Sequence, residues 1–264
     1  MSLDKATIEK LAKHCEDAEL NAHEITKITD DYPEMTYEDA YDIQWTARKA
    51  KEARGHKIVG MKMGLTSQAK MKQMGVPNPC YGYLADYFAY GDGAEIKIDE
   101  LIHPKVEAEI AFILKDDLQG PGCHIGDVLA ATDFVMPAVE IIDSRYKDFK
   151  FDLKSVIADN SSSSRYVTGG RMRDIKDLIE NLKGKTPEEK AFYAKKEVLK
   201  YGVRIESETL DDFSRAFVYE KFGGRADEKI NCLTEDSHIH VSTKSEVKAI
   251  LDAYVWIIIN KKDN

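Results

Sequence analysis

Between His103 and Leu114 the chain reads HPKVEAEIAFIL, with apolar and charged positions in alternation. Side chains of an extended strand point to opposite faces in turn. Val106, Ala108, Ile110 and Phe112 therefore suit a buried face, and Glu107 and Glu109 share the other. A second apolar run, Pro137 to Asp143 (PAVEIID), carries a third acid, Glu140. Helical periodicity comes first at residues 4–18, where Ile8, Leu11 and Cys15 fall on one side. Thr36 opens a second helix. Thr36-Tyr37-Glu38-Asp39 has the form of a capping box, with Asp in place of the usual Glu or Gln. Ala40, Ile43, Gln44 and Ala47 follow at helical spacing, and Gly55 supplies the stop.

The pattern predicts further elements. His56 to Gly64 suits a strand, with Gly60 and Gly64 marking close backbone approach. Lys62 lies inside it between two methionines, as either an exposed edge residue or a cation in a pocket. Thr66 caps a short helix through Met74. Strands are expected at 94–98, 105–114, 137–143 and 165–168, a turn at Gly120-Pro121-Gly122, and a helix over 126–134. Asp159, Asn160 and the four serines that follow form a polar loop. Beyond Gly169-Gly170 the pattern turns helical, at 174–183, 187–200, 209–221 and 244–260, with short strands at 203–206 and 238–241.

Composition supports a break near residue 170. Residues 171–264 hold 18 Lys+Arg and 18 Asp+Glu, so the whole net charge of −9 lies in residues 1–170. That charge argues against a general nucleic-acid binder, which shows a basic footprint. No apolar run reaches the roughly 18 residues that a membrane helix needs. MSLDKATIEK has no apolar signal region, so the expected location is cytoplasmic. The four cysteines, Cys15, Cys80, Cys123 and Cys232, show no paired spacing and read as free thiols.

Two carboxylates on one face of an apolar strand repel one another and lose hydration, a cost that a divalent cation offsets. Glu107, Glu109 and Glu140 thus form a candidate oxygen-donor site for Mg²⁺ or Mn²⁺. Glutamates two apart also occur on solvated strand faces, and that alternative stays open on spacing alone. His238, His240 and Cys232 give three ligands where zinc wants four. Gly169-Gly170 lacks the GK[ST] of a phosphate loop, and no GxSxG marks a hydrolase nucleophile.

GMKMGLTSQAKMKQMGV (60–76), YGYLADYF (81–88), LIHPKVEAEIAFIL (101–114), GPGCHIGDVLAATDFVMPAVEIIDSRYKDFKFDL (120–153) and ADNSSSSRYVTGGRM (158–172) closely resemble the hydratase/decarboxylase family of the fumarylacetoacetate hydrolase superfamily. The resemblance covers about residues 1–172. It implies an α+β fold with a mixed β-sheet or roll and an N-terminal helical segment. The expected parts are 1–55 (helical segment), 56–172 (metal-binding core) and 173–264 (an atypical, mainly helical region).

The resemblance also implies a Mg²⁺ site at Glu107, Glu109 and Glu140, with Lys62 as the catalytic lysine. It implies substrate contacts at Leu65 and Ser162. Family hydratases carry PDFG where this chain reads Pro79-Cys80-Tyr81-Gly82. The missing acid points to the decarboxylase branch, which acts on 4-oxalocrotonate, a 2-oxo dicarboxylate, in aromatic meta-cleavage catabolism. A vinylpyruvate hydratase is the second expectation, and an inactive homologue that binds a partner is the third. The family implies homo-oligomers and a complex with the pathway hydratase. Residues 173–264 carry none of the family's GHP, TGG and GD segments. Val247, Ile250, Leu251, Tyr254 and Ile258 there suit a core or docking helix.

Overall fold

The Asp4 carboxylate accepts the Thr7 N–H at 2.8 Å and starts helix α1, Lys5–Leu20. The fold is that of a computed structural model, which describes residues 2–66, 71–72, 75–123, 125–170, 172–174 and 256–260. A single turn, α2 (Ile28–Asp31), precedes α3 (Tyr37–Ala53). The capping box of α3 forms as expected. Thr36 Oγ1 accepts from the Asp39 N–H, and the Asp39 carboxylate accepts from the Thr36 N–H. Gly55 follows the last turn at φ +95°, a conformation that glycine adopts without steric cost. Ile8, Leu11 and Cys15 of α1 and Ala40, Ile43 and Ala47 of α3 share one apolar core with Tyr146, Leu153, Val156 and Ile157.

The strands are β1 (Ile58–Gly64), β2 (Cys80–Ala85), β3 (Ala89–Tyr90), β4 (Pro104–Leu114), β5 (Thr132–Asp143), β6 (Arg165–Thr168) and β7 (Trp256–Asn260). Two short helices accompany them, α4 (Ile125–Ala131) and α5 (Leu153–Ala158). The strands form one mixed sheet in the order β2-β1-β7-β4-β5-β6-β3. Pairs β3–β6 and β4–β7 are parallel and the others antiparallel.

The two outer strands, β2 and β3, are separated only by the 3₁₀ turn Asp86–Phe88. A flat sheet of this order would hold its edges about 29 Å apart at about 4.8 Å per strand. The connection reaches at most about 14 Å. The sheet must therefore roll, and one face becomes concave.

That face is apolar at one end. Ala111 and Ile113 of β4, Ala138 of β5, Leu84 of β2 and Tyr166 of β6 pack together there, with Phe134 and Met136 beside them. The opposite face of β4 and β5 packs Val106, Val139 and Ile141 on Leu101 and Val167.

Three sequence expectations change. Residues 94–98 make no strand. Ile96 packs against the sheet, Ile98 is exposed, and the 3₁₀ turn Ile98–Glu100 follows. The stretch has no strand partner among the described residues, so alternation alone misled. The helix expected over 126–134 ends at Ala131. Thr132 and Phe134 pair instead with Leu114 and Ile113, extending β5. Residues 256–260 are the strand β7, not the end of a helix. They pair with β1 and β4 on either side, as the β-branched run Ile257 to Ile259 favours. The rest of the 244–260 pattern, the other helices and strands expected beyond residue 174, the His238/His240/Cys232 group, and most of the Thr66–Met74 helix lie outside the described residues. The helical turns α2 and α5 escaped the sequence reading because each is too short to show a period.

Candidate metal and substrate site

Strand register brings the three acids together. Glu107 of β4 lies directly opposite Glu140 of β5, and Glu109 is two residues along on the same face. One carboxylate oxygen from each lies within 4.8 Å of the others. Glu109 and Glu140 are fully buried and Glu107 is partly so. Burial pushes the Glu140 carboxyl up to about 7. Lys62 pulls against that shift and Glu107 adds to it. Neither Glu140 oxygen has a hydrogen-bond partner among the described residues, although the Lys62 ammonium lies 3.3 Å from Oε1. Three clustered oxygen donors, two of them wholly removed from water, fit a hard divalent cation such as Mg²⁺. An uncompensated group of this kind would be costly.

Lys62 is a pocket cation, not an edge residue. Its strand, β1, runs between β2 and β7, and the side chain is 3% exposed. In a flat sheet β1 and β5 would lie about 14 Å apart. The roll closes that distance and places the ammonium against Glu140. Burial works to strip the Lys62 proton. The negative charges of Glu140, Glu107 and Glu109 outweigh it and hold the pKa above the ordinary lysine value. Lys62 Nζ also donates to the Ser161 carbonyl at 2.8 Å.

That carbonyl is delivered by a strained loop. Asn160, Ser161 and Ser162 all have left-handed backbone angles, φ +49°, +52° and +58°. Such conformations are rare for residues other than glycine and persist only where surrounding contacts impose them. Here the Asn160 side chain pairs with the backbone of Tyr83, accepting its N–H at 2.8 Å and donating to its carbonyl at 3.0 Å. Ser161 Oγ donates to the Tyr81 carbonyl at 2.8 Å. The loop crosses so close to Gly82 that a Cβ there would lie 2.4 Å from the Asn160 carbonyl oxygen.

Beneath the loop, Arg145 is buried. Its guanidinium donates to the Asp159 carboxylate and to the carbonyls of Asp143 (2.7 Å), Ser163 (3.0 Å) and Asp159 (2.5 Å). Ser162 Oγ is buried and has no hydrogen-bond partner among the described residues. Leu65, just after β1, has φ +58°, an outlier for a bulky residue. Cys80 is buried at the start of β2, opposite Gly64. A Cβ on Gly64 would meet its sulfur at 3.1 Å, so the tight neighbour of that glycine is a side chain and not the backbone expected. Burial raises the Cys80 thiol pKa, and Lys62 opposes the rise.

The sequence reading found Lys62 and the three acids but missed Arg145, Gly82 and Asn160. Arg145 sits in a polar stretch, Ser144-Arg145-Tyr146-Lys147-Asp148, that reads as a solvated turn. Gly82 carried a usable signal, a glycine inside an aromatic strand, which marks close backbone approach.

A rolled mixed sheet that sets three carboxylates, two of them fully buried, against a buried lysine fits the site of a metal-dependent enzyme. Comparison with known proteins narrows this. The chain is 61% identical over 177 residues to 4-oxalocrotonate decarboxylase of Pseudomonas sp. (strain CF600), covering 67% of each protein. It is 42% identical over 177 residues to 2-hydroxyhexa-2,4-dienoate hydratase of Comamonas testosteroni, covering 66% of this chain and 67% of that one. Among solved structures, 4-oxalocrotonate decarboxylase from Pseudomonas putida G7, complexed with magnesium and adipate, matches with 60% identity and a TM-score of 0.64. That match covers 66% of each chain. No protein-family model matches. The chain belongs to the family of 4-oxalocrotonate decarboxylases and related dienoate hydratases. The matched part spans about two thirds of those relatives' length.

Proposed function

We propose that the protein is a Mg²⁺-dependent decarboxylase that converts 4-oxalocrotonate (2-oxo-3-hexenedioate) to 2-oxopent-4-enoate with release of CO2. The observation that carries this reading is the buried Lys62 ammonium set against three clustered carboxylates. It is supported by the 61% identity to a decarboxylase and by the magnesium in the solved relative. Glu107, Glu109 and Glu140 would hold the metal. When bound, Mg²⁺ supplies Lewis acidity toward the 1-carboxylate and 2-oxo group.

In the reaction the bond to the distal carboxylate breaks and CO2 leaves. The electron pair moves through the conjugated chain to the 2-oxo oxygen, giving a dienolate that then takes up a proton on carbon. The Lys62 ammonium, 3.3 Å from Glu140, would place a positive charge beside the developing dienolate. The Ser162 hydroxyl and the Leu65 backbone would orient the 1-carboxylate end. The apolar end of the concave face, around Ala111, Ile113 and Phe134, keeps water from that side of the site.

The second reading is hydration of the vinylpyruvate product, favoured by the 42% identity to a dienoate hydratase. Against it stands Cys80, a buried thiol where a hydratase of this family carries an acid to handle the water. Product analysis separates the two. Purified protein with Mg²⁺ and 4-oxalocrotonate should release CO2 in step with substrate loss. A 4-hydroxy-2-oxo acid formed from 2-hydroxypenta-2,4-dienoate, with no CO2 from the dicarboxylate, would establish the hydratase. In the cell the same reading makes the protein a cytoplasmic oligomer of aromatic meta-cleavage catabolism that associates with the pathway hydratase. No described helix is long and apolar enough to cross a membrane.

A further inference from the structure

A fourth charged residue lies in line with the acids on β4. Lys105 is two residues before Glu107, so Lys105, Glu107 and Glu109 share one face, the concave one. Burial falls along that row. Glu109 is wholly enclosed, Glu107 and Lys105 are partly open, and His103 beyond them is partly open too. The other end of the face is closed by Ala111 and Ile113. Among the described residues the row of acids is therefore less enclosed at its Lys105 end.

The Lys105 ammonium is held over a ring, with Nζ 3.4 Å from the Phe149 centroid. Phe149 and its neighbour Asp148 both have left-handed backbone angles, φ +58° and +56°. Backbone strain of that kind in two consecutive residues needs support from the surroundings. Phe149 packs on Phe151 at 5.5 Å and on the edge of His103 at 6.4 Å. His103 in turn is turned toward Glu24, 2.7 Å away. The result is an aromatic platform that presents a cation at that end of the row.

We propose that Lys105 is the specificity-determining residue that receives the distal carboxylate of a six-carbon 2-oxo dicarboxylate. The proposal rests on the reading of Glu107, Glu109 and Glu140 as the metal-chelating end of a 2-oxo acid site. The dimensions agree. Two residues of strand span about 6.7 Å, and the terminal carbons of an extended six-carbon diacid lie about 6 Å apart at ordinary C–C bond lengths. The chemistry also restricts the role. A cation that grips a carboxylate opposes its departure as CO2, so Lys105 contributes to binding and selection and not to the chemical step. A lysine on an aromatic face is a compact point charge suited to that, whereas an arginine fork would hold the carboxylate in two hydrogen bonds.

The test uses the full chain with Mg²⁺ and compares wild type, Lys105→Met and Lys105→Arg. Methionine keeps an apolar stem on Phe149 and removes only the charge. Calorimetric titration with adipate should weaken about tenfold or more in Lys105→Met, the size expected for a lost charge-assisted hydrogen bond. Binding of pyruvate, which has the 2-oxo acid end alone, should change less than about twofold, and Lys105→Arg should keep most of the adipate affinity. In steady state the KM for 4-oxalocrotonate should rise in Lys105→Met and kcat should rise with it, leaving kcat/KM little changed, because the contact is made to the bound substrate and lost as CO2 departs. Equal effects on adipate and pyruvate, or none on either, overturn the proposal. The two readings fail separately. Wild type that binds adipate through Lys105 but releases no CO2 refutes the decarboxylase and leaves this site standing. Unchanged KM in an active Lys105→Met enzyme refutes the site and leaves the decarboxylase standing.

Discussion

Replacing Arg145 by methionine tests how the strained serine loop is held. The side chain is 2% exposed and reaches the Asp159 carboxylate and the carbonyls of Asp159 and Ser163, which flank the loop, as well as the carbonyl of Asp143 at the end of β5. Methionine fills part of the volume but leaves the Asp159 carboxylate buried without its cation. The Arg145 backbone N–H at 3.1 Å remains among its partners. Removing one partner of a buried ion pair costs about 3–5 kcal/mol, mostly because the other charge stays in low dielectric. Four net hydrogen bonds at about 1 kcal/mol each give a similar figure. Urea denaturation of Arg145→Met should therefore show a loss of about 3–5 kcal/mol. Activity should fall further than stability alone explains, because the loop places the Ser161 carbonyl on Lys62. Arg145→Lys should recover little, since an ammonium cannot reach all four acceptors. A loss below about 1 kcal/mol, the size of one ordinary hydrogen bond, would refute the idea that Arg145 holds the loop.

Other outcomes follow from the same contacts. Gly82→Ala drives a Cβ to 2.4 Å from the Asn160 carbonyl oxygen, so it should cost about 1–3 kcal/mol in denaturation and displace the loop, lowering CO2 release. Lys62→Met should lower kcat by about a hundredfold or more, the loss seen when a preorganised charge at a developing oxyanion is removed, while circular dichroism stays native. Thr36→Ala removes the N-cap of α3 and should cost about 1 kcal/mol in thermal unfolding. Burial pushes the Asp39 carboxyl up, but hydrogen bonds from Ser2, Thr36 and Leu3 outweigh it and hold its pKa below the usual 3.8. A depressed carboxyl stabilises the fold above its unfolded pKa and loses that contribution as pH falls through the folded value. The destabilisation by Asp39→Asn should thus be full at neutral pH and shrink in melts taken below about pH 3.8.

How much of this could be read from the sequence depends on how far each feature reaches along the chain. The caps of α1 and α3 are local, made by residues three apart; that of α3 forms where Thr36 indicated, and Asp4 caps α1 at the start of the expected helix. Alternation over Lys105 to Leu114 placed Glu107 and Glu109 on one face, because the strand period is fixed by geometry. The partnership with Glu140 needed the register of β4 on β5, which the two apolar runs suggested. Lys62 resisted. Its strand looks equally good at an edge or in the interior, and spacing cannot show that the sheet rolls until β1 faces β5. Only the resemblance to a family moved it into the pocket. Arg145 and Asn160 were silent for a similar reason, since their partners lie in other segments. β7 departs from the helical reading at residues 256–260, where pairing with two neighbouring strands outweighs the apolar period of an isolated segment.

The central claim is that the three acids hold the metal on which CO2 release depends. The most direct measurement is CO2 evolution from 4-oxalocrotonate by chelator-stripped protein, before and after Mg²⁺ is restored, for wild type and Glu107→Gln. The structure predicts that stripped wild type is inactive, that Mg²⁺ restores it, and that Glu107→Gln stays far below wild type at the same metal concentration. Equal CO2 release with and without metal, together with an unaffected Glu107→Gln, would contradict the account.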